Sequence, residues 1–264
     1  MKKLKVNQTV FQSGDVKICV SLCGRNLEEC VAECEWLEKG IDVVEWRMDY
    51  VNGSLPDDWL EILKAIRSHI ASFTLLATWR RREEGGQQPI ETKEYVALNQ
   101  AIIRSGLTDM IDVELFAGEE VVKQLVQEAH AHGVKVVMSH HDIHTTPTSE
   151  AMMIRLRAME RMGGDLVKLA VMPQCSQDVW NLLSVSSTYS ERADSRPLIS
   201  MAMGDLGVLS RIGGTISGSV MSFGSLKQVS ALGQLPWKVL KEILTQLHPQ
   251  SQDHGEKINN KTEK

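Results

Sequence analysis

Eight short apolar, β-branched runs recur along the chain, and this recurrence constrains its fold more than any other feature. They are KICVSL from 17, DVVEWR from 42, FTLLATW from 73, MIDVEL from 110, VKVVMSH from 134, DLVKLAV from 165, PLISMAM from 197 and SGSVMSF from 217. Each has the length of a strand. Between most of them lie segments with apolar residues three and four apart, acidic residues early and glycine late. Examples are NLEECVAECEWLEKG, DDWLEILKAIRSHI, GEEVVKQLVQEAHAHG and SEAMMIRLRAMERMGG, and this spacing predicts helices. Strands alternating with helices without a linker-like break give an α/β fold, a (β/α)8 TIM barrel, as a single domain over residues 1–248. A doubly wound open sheet is the competitor. It usually advertises a nucleotide site, but no G-x-G-x-x-G follows the first strand, no G-x-x-x-x-G-K-[ST] occurs, and GGTISGS near 213 has neither spacing. The residues before 17 are predicted to form a short N-terminal hairpin closing the barrel bottom. The polar stretch 249–264 is predicted to be a disordered tail.

Of the 264 residues, 42% are apolar and 24% charged, enough for a large core in a globular protein. The formal net charge of −5 supplies no global field for nucleic acid or an anionic membrane. Neither is expected as a partner, and an anionic small molecule would have to be caught by a few local cations. No apolar stretch approaches the length of a transmembrane helix. The opening MKKLK is followed by NQTVFQSGD rather than by the apolar region of a signal peptide, so a cytoplasmic setting is expected. The five cysteines are odd in number and contain no C-x-x-C, which predicts reduced thiols.

In a barrel, reactive groups gather where strands end and βα-loops begin, and several strands here end in ionisable residues. Glu45 and Arg47 share a strand face, as do Asp112 and Glu114. Arg80 closes the third run, His141 the fifth, and Arg211 follows the seventh. Each has a plain structural reading. RRREE at 80–84 is more often a solvated turn, Glu45 and Arg47 could be a structural ion pair, and His140, His141 and His144 could be loop histidines. Zinc ligation by those histidines is a minority reading, because no HExxH or suitably spaced cysteine accompanies them.

Lys168 is harder to dismiss. It sits within LVKLAV with Leu166 and Ala170 on its own face, where desolvating an ammonium costs several kcal/mol. Burial favours the neutral amine, which is a nucleophile towards carbonyls. Pairing with Asp112 or Glu114 across the barrel is the structural alternative. The residues therefore suggest an imine-forming barrel enzyme. Lys168 would form the Schiff base, His141 would move protons with a pKa near neutrality, and Arg47, Arg80 and Arg211 would hold an anionic group. Aldolase, transaldolase and dehydratase chemistry all fit, and a non-catalytic binder would need none of these groups together.

The motifs EWRMD at 45, TWRRREEGG at 78, DMIDVELF at 109, VVMSHHD at 136, VKLAVMPQ at 167, LISMAMGDLGVLSR at 198 and SFGSLKQVSALGQLP at 222 occur in that order. Through them the chain resembles the type I 3-dehydroquinate dehydratases, lyases of the shikimate pathway of aromatic amino acid biosynthesis, from residue 17 to about 247. The resemblance implies that Lys168 forms the imine, that His141 shuttles the proton and that Glu84 orients His141. It implies that Ser21, Glu45, Trp46, Arg47, Arg80, Arg211, Ser230 and Gln234 hold the substrate, 3-dehydroquinate. It further implies syn elimination of water, no metal or organic cofactor, and a homodimer. Another imine-forming barrel lyase or aldolase acting on a hydroxy-keto acid is the alternative. Two positions depart from the family pattern. His140 stands where Asn usually precedes the histidine, and Leu232 stands where SAPGQ would have proline, whose fixed φ would stiffen that loop.

Overall fold

The eight runs form one ring of parallel strands in the computed structural model, which describes residues 3–53, 56–227 and 230–247. A hairpin of β1 (Leu4–Val6) and β2 (Thr9–Phe11) comes first, turning at Asn7 with φ 50°. The barrel strands are β3 (Lys17–Leu22), β4 (Val43–Arg47), β5 (Thr74–Thr78), β6 (Met110–Glu114), β7 (Lys135–Asp142), β8 (Leu166–Val171), β9 (Leu198–Ala202) and β10 (Met221–Gly224). They pair in sequence order from β3 to β9, and β10 returns to pair with β3. Between β9 and β10 the ring closes through the Val220 N–H, which donates to the Leu198 carbonyl at 2.7 Å.

Helices connect successive strands: α1 (Leu27–Cys34), α2 (Pro56–His69), α3 (Thr92–Arg104), α4 (Glu119–Ala131), α5 (Ser149–Arg161), α6 (Ser176–Ser190), and the short α7 (Val208–Ile212) and α8 (Gly214–Ser217); α9 (Trp237–Leu247) follows the last strand. Local chemistry sets their starts. The side chains of Asn26 and Thr148 accept the N–H groups of Glu29 and Ala151 at the first turns of α1 and α5. The first helix is shorter than its periodicity predicts. After Cys34 the Trp36 and Leu37 N–H groups turn to carbonyls three residues back, tightening the chain before it enters β4.

Strand alternation gives the barrel two cores. Outward residues such as Val20, Val44, Ile111, Met138 and Leu169 pack against the apolar helix faces. Inward residues at the start of the strands, among them Cys19, Val43, Leu76, Met110 and Leu166, fill the bottom of the barrel together with Val6 and Phe11 of the hairpin. The hairpin thus closes the bottom as expected, and Thr9 Oγ1 lies 2.7 Å from Thr74 Oγ1 to tie it there. The predicted tail falls outside the described residues. No helix among the described residues is long and apolar enough to cross a membrane.

Trp46 requires a correction. It lies between two inward residues, so the pleat turns its indole outward. There it is fully buried in the sheet–helix core rather than lining the barrel interior, so it has no route to a substrate. Trp46→Ala is expected to lower the unfolding free energy in urea by about 3–5 kcal/mol, with KM unchanged in the folded fraction. A raised KM at unchanged stability would restore it to the site.

Candidate active site

Above the apolar floor, the next inward positions of neighbouring strands are polar. Ser21, Glu45, Thr78, Asp112, Ser139 and Lys168 come from β3 to β8 in turn, with Arg47, Arg80, Glu114 and His141 above them. Of these, Glu45, Arg47, Arg80, Lys168 and His141 line a cavity of about 310 Å³ at the C-terminal end of the barrel, completed by Glu84, Ser230, Gln234 and an apolar wall that includes Met203, Phe223 and Leu232. This is the end where βα-loops converge. A hollow of similar size lies beside Asp15 and Lys241, near the hairpin, and gathers no comparable set of groups.

Lys168 is 4% exposed. Its Nζ lies 3.6 Å from Glu45 Oε1, 3.7 Å from Asp112 Oδ2 and 4.5 Å from the centre of the Phe223 ring. The amine therefore meets two carboxylates as well as an apolar surface. Pairing with Asp112 was one of the sequence alternatives, whereas Glu114 instead takes Arg80 and Arg81.

Glu45 accepts from Ser21 Oγ at 2.7 Å and Thr78 Oγ1 at 3.1 Å. Burial alone would raise its pKa, but Lys168, Arg47 and the Ser21 hydroxyl bring it down to about 2. Glu45 and Arg47 do not make the direct ion pair considered from sequence. Arg47 donates from Nε and Nη2 to the two oxygens of fully buried Asp49, each at 2.8 Å.

Arg80, expected among the substrate-holding groups, is committed elsewhere. Its Nη1 donates to Glu114 at 2.8 Å and to Ser139 at 3.0 Å, and its Nη2 to Asp112 at 2.8 Å. It borders the cavity as part of a buried ion network. The RRREE stretch is likewise not a uniformly solvated turn: Arg80 and Glu84 are buried, while Arg82 and Glu83 face water.

Glu84 reaches the end of β7 from the short 3₁₀ turn Arg82–Glu84. Strand β6 stops at Glu114, so the His141 N–H on that side has no strand partner and donates to Glu84 Oε2 at 2.9 Å. His141 Nδ1–H donates to the same oxygen at 3.0 Å. This fixes the tautomer and leaves Nε2, without a protein partner among the described residues, as a proton acceptor. Burial, then the positive charge of Arg80, lower the His141 pKa to about 3 despite the opposing Glu84 bond. His141 is thus held neutral more firmly than the near-neutral value expected from sequence. For Glu84, burial acts upward, but the hydrogen bonds from His140 and His141 outweigh it and hold the carboxyl well below the usual range. His144, the third histidine of that cluster, is exposed.

Arg211, on α7, is 2% exposed, and burial lowers its pKa to about 10. Its Nη2 donates to the Leu232 carbonyl at 2.7 Å, Nη1 lies 3.7 Å from Met201 Sδ, and Nε has no partner. No carboxylate pairs with it among the described residues, unlike Arg47 and Arg80, so it is the guanidinium most in need of an anion. Ser230 and Gln234 bond to each other, and Ser230 Oγ donates to Ser21 Oγ at 3.2 Å across the mouth of the cavity. Leu232 has its side chain 64% exposed while its carbonyl holds Arg211.

Sequence reasoning missed Asp49, Ser139 and Phe223, and treated Asp112 only as a structural partner of Lys168. Parity was the available signal. Ser139 lies two residues before His141 on the same strand, whereas Asp49 lies in the 3₁₀ turn after β4, beyond the reach of strand parity.

The family model for type I 3-dehydroquinase matches residues 18–251. A 3-dehydroquinate dehydratase of Salmonella agona is 43% identical over 250 residues, covering 94% of this chain and 99% of the relative. The structure resembles type I 3-dehydroquinate dehydratase from Clostridium difficile, solved with covalently modified comenic acid, with a TM-score of 0.90 and 40% identity over 94% of this chain and 98% of that one. It also resembles 3-dehydroquinate dehydratase from Geobacillus kaustophilus, with a TM-score of 0.90 and 32% identity over 95% and 98%. With its barrel, its buried lysine and its paired histidine and glutamate, the chain belongs to the type I 3-dehydroquinase family.

Proposed function

We propose that this chain is a lyase that dehydrates 3-dehydroquinate to 3-dehydroshikimate, by syn elimination through a Schiff base on Lys168. One observation carries the reading. A buried amine and an imidazole with an unpartnered Nε2 line one cavity, and a guanidinium without a carboxylate holds the Leu232 carbonyl in its wall. The covalently modified ligand in the Clostridium difficile relative supports a site that holds a nucleophile.

The Lys168 ammonium first passes a proton to its carboxylate neighbours. The amine then attacks the C3 ketone, and the ketone oxygen leaves as water with that proton and one from the nitrogen, which keeps its last proton as an iminium. The iminium carries the same charge as the ammonium, so Glu45 and Asp112 remain its counter-ions and no new charge is buried. This cation is an electron sink. His141 Nε2 removes a C2 proton, and the C–H electrons form an enamine rather than a bare carbanion. The imidazolium, stabilised by Glu84, then protonates the departing C1 hydroxyl on the same ring face. A site that holds His141 neutral keeps it in the form that accepts a proton and, once it is protonated, makes it a strong acid. Hydrolysis of the product imine returns the ketone and the amine, so the net loss is one water.

Arg211 is assigned to the substrate carboxylate, for which its fork geometry is suited. Ser230, Gln234, Glu45 and Arg47 read ring hydroxyls, and a site built to pair hydroxyls rejects analogues that lack them. Arg80 acts through the framework that holds Asp112 and Glu114. Residues 1–248 form the catalytic unit, and a cytoplasmic homodimer is supported by family membership. Light scattering near twice the chain mass of 29.5 kDa is expected, and a value of one chain would refute the dimer.

In a spectrophotometric assay on 3-dehydroquinate, Lys168→Ala and His141→Ala should each abolish measurable turnover. Arg211→Ala should raise KM about 10- to 100-fold, the value of a lost charged hydrogen bond. An unchanged KM would remove Arg211 from the carboxylate.

The lowered His141 pKa also has a stability consequence. Between about pH 6.5, where an unfolded histidine titrates, and pH 3, the unfolded chain takes up a proton that the native site refuses. Stability must therefore fall on acidification through this window. Urea midpoints should fall from pH 7 to pH 4.5 in the wild type and fall less in His141→Asn. Equal slopes would contradict the assignment.

A further inference from the structure

His140 is the one buried imidazole at this site that the proposed reaction leaves unused. Consecutive strand residues point to opposite faces, yet His140 and His141 both turn Nδ1 towards Glu84, which caps the end of β7 where β6 has stopped. The two carboxylate oxygens are divided between them. Oε2 takes the His141 N–H and Nδ1–H, while Oε1 accepts from His140 Nδ1–H at 3.1 Å and from no other described residue. That bond is also the only one the His140 ring makes among the described residues. Its Nε2 is buried without a partner, and the ring packs edge-on against Phe116 with centroids 4.7 Å apart. A buried imidazole whose one N–H donor is spent on one carboxylate oxygen constrains that carboxylate.

We propose that His140 is a positioning residue: by holding Oε1 it fixes the plane of the Glu84 carboxylate, so that Oε2 stays on Nδ1–H of His141. Without this donor, Oε1 is a buried acceptor with no partner. The carboxylate can then relieve that cost by rotating, which loosens His141 at the moment it becomes an imidazolium. The proposal rests on the reading that His141 moves the proton. It also explains how histidine can stand where the family pattern usually has asparagine. An asparagine amide nitrogen is bonded to Cγ, as Nδ1 is in histidine, so either residue places a donor at the same branch. Leucine has the same branch without a donor.

The test compares kcat and KM on 3-dehydroquinate for the wild type, His140→Leu and His140→Asn, and for His140→Leu in a Glu84→Ala background. His140→Leu should lower kcat about tenfold or more, as for a lost hydrogen bond to a charged group, with KM within about twofold. His140→Asn should recover kcat to within about twofold of the wild type. In the Glu84→Ala background His140→Leu should have no further effect, because its influence passes through that carboxylate. If the leucine variant does not fold, as judged by its thermal transition, His140→Ala takes its place in the cycle. A wild-type kcat in the donor-less variant, equal damage from leucine and asparagine, or an undiminished effect without Glu84 would each overturn the proposal. If the wild type does not turn over 3-dehydroquinate, the underlying reading has failed. If it does and the cycle shows no coupling, only this inference has.

Discussion

A buried ammonium or guanidinium without a counter-charge costs several kcal/mol, and this barrel places Arg47, Arg80, Lys168 and Arg211 almost out of reach of water. The structure tolerates three of them because a carboxylate faces each. Asp49 takes Arg47, Asp112 and Glu114 take Arg80, and Glu45 with Asp112 takes Lys168. The remaining cation, Arg211, has a carbonyl oxygen, a sulfur and no carboxylate among the described residues. Arg80 with its carboxylates holds the wall, Arg47 and Lys168 are balanced where they stand, and Arg211 is the cation assigned in the proposed reaction to the anionic end of the substrate.

The same balance reconciles two readings of Lys168 that look opposed from sequence. A lysine paired with carboxylates suggests a structural role, and a lysine buried in a strand suggests a nucleophile. Iminium formation conserves the positive charge, so counter-ions that hold the resting amine also serve the proposed intermediate. Glu84 acts similarly one layer higher, where its oxygen already accepts from the histidine that gains charge in the proposed reaction. Such preorganised groups contribute because they need no rearrangement when that charge develops.

Nearly all of the fold was legible, because eight apolar runs separated by amphipathic helices leave few alternatives to a barrel. The site was legible in part. Lys168, His141 and Glu84 come together, since each is a polar residue at or beyond a strand end. Trp46 was misassigned because EWR was read as a block, whereas the pleat divides it into two inward side chains and one outward. The partners of Arg47 and Arg80 were not legible either. Which of several carboxylates a guanidinium meets depends on strand register across the barrel, and Asp112 reaches Arg80 over 32 positions of sequence. The displacement of the His141 pKa depends on the same register, because Arg80 and Lys168 must first be brought beside it.

The central claim is that Lys168 bonds covalently to a substrate ketone, and reduction during turnover tests it most directly. Borohydride added to enzyme with 3-dehydroquinate, followed by digestion and mass spectrometry, should give an inactive protein carrying a reduced ligand on the peptide that contains Lys168. An active protein with no adduct, or an adduct that persists in Lys168→Ala, would contradict the account.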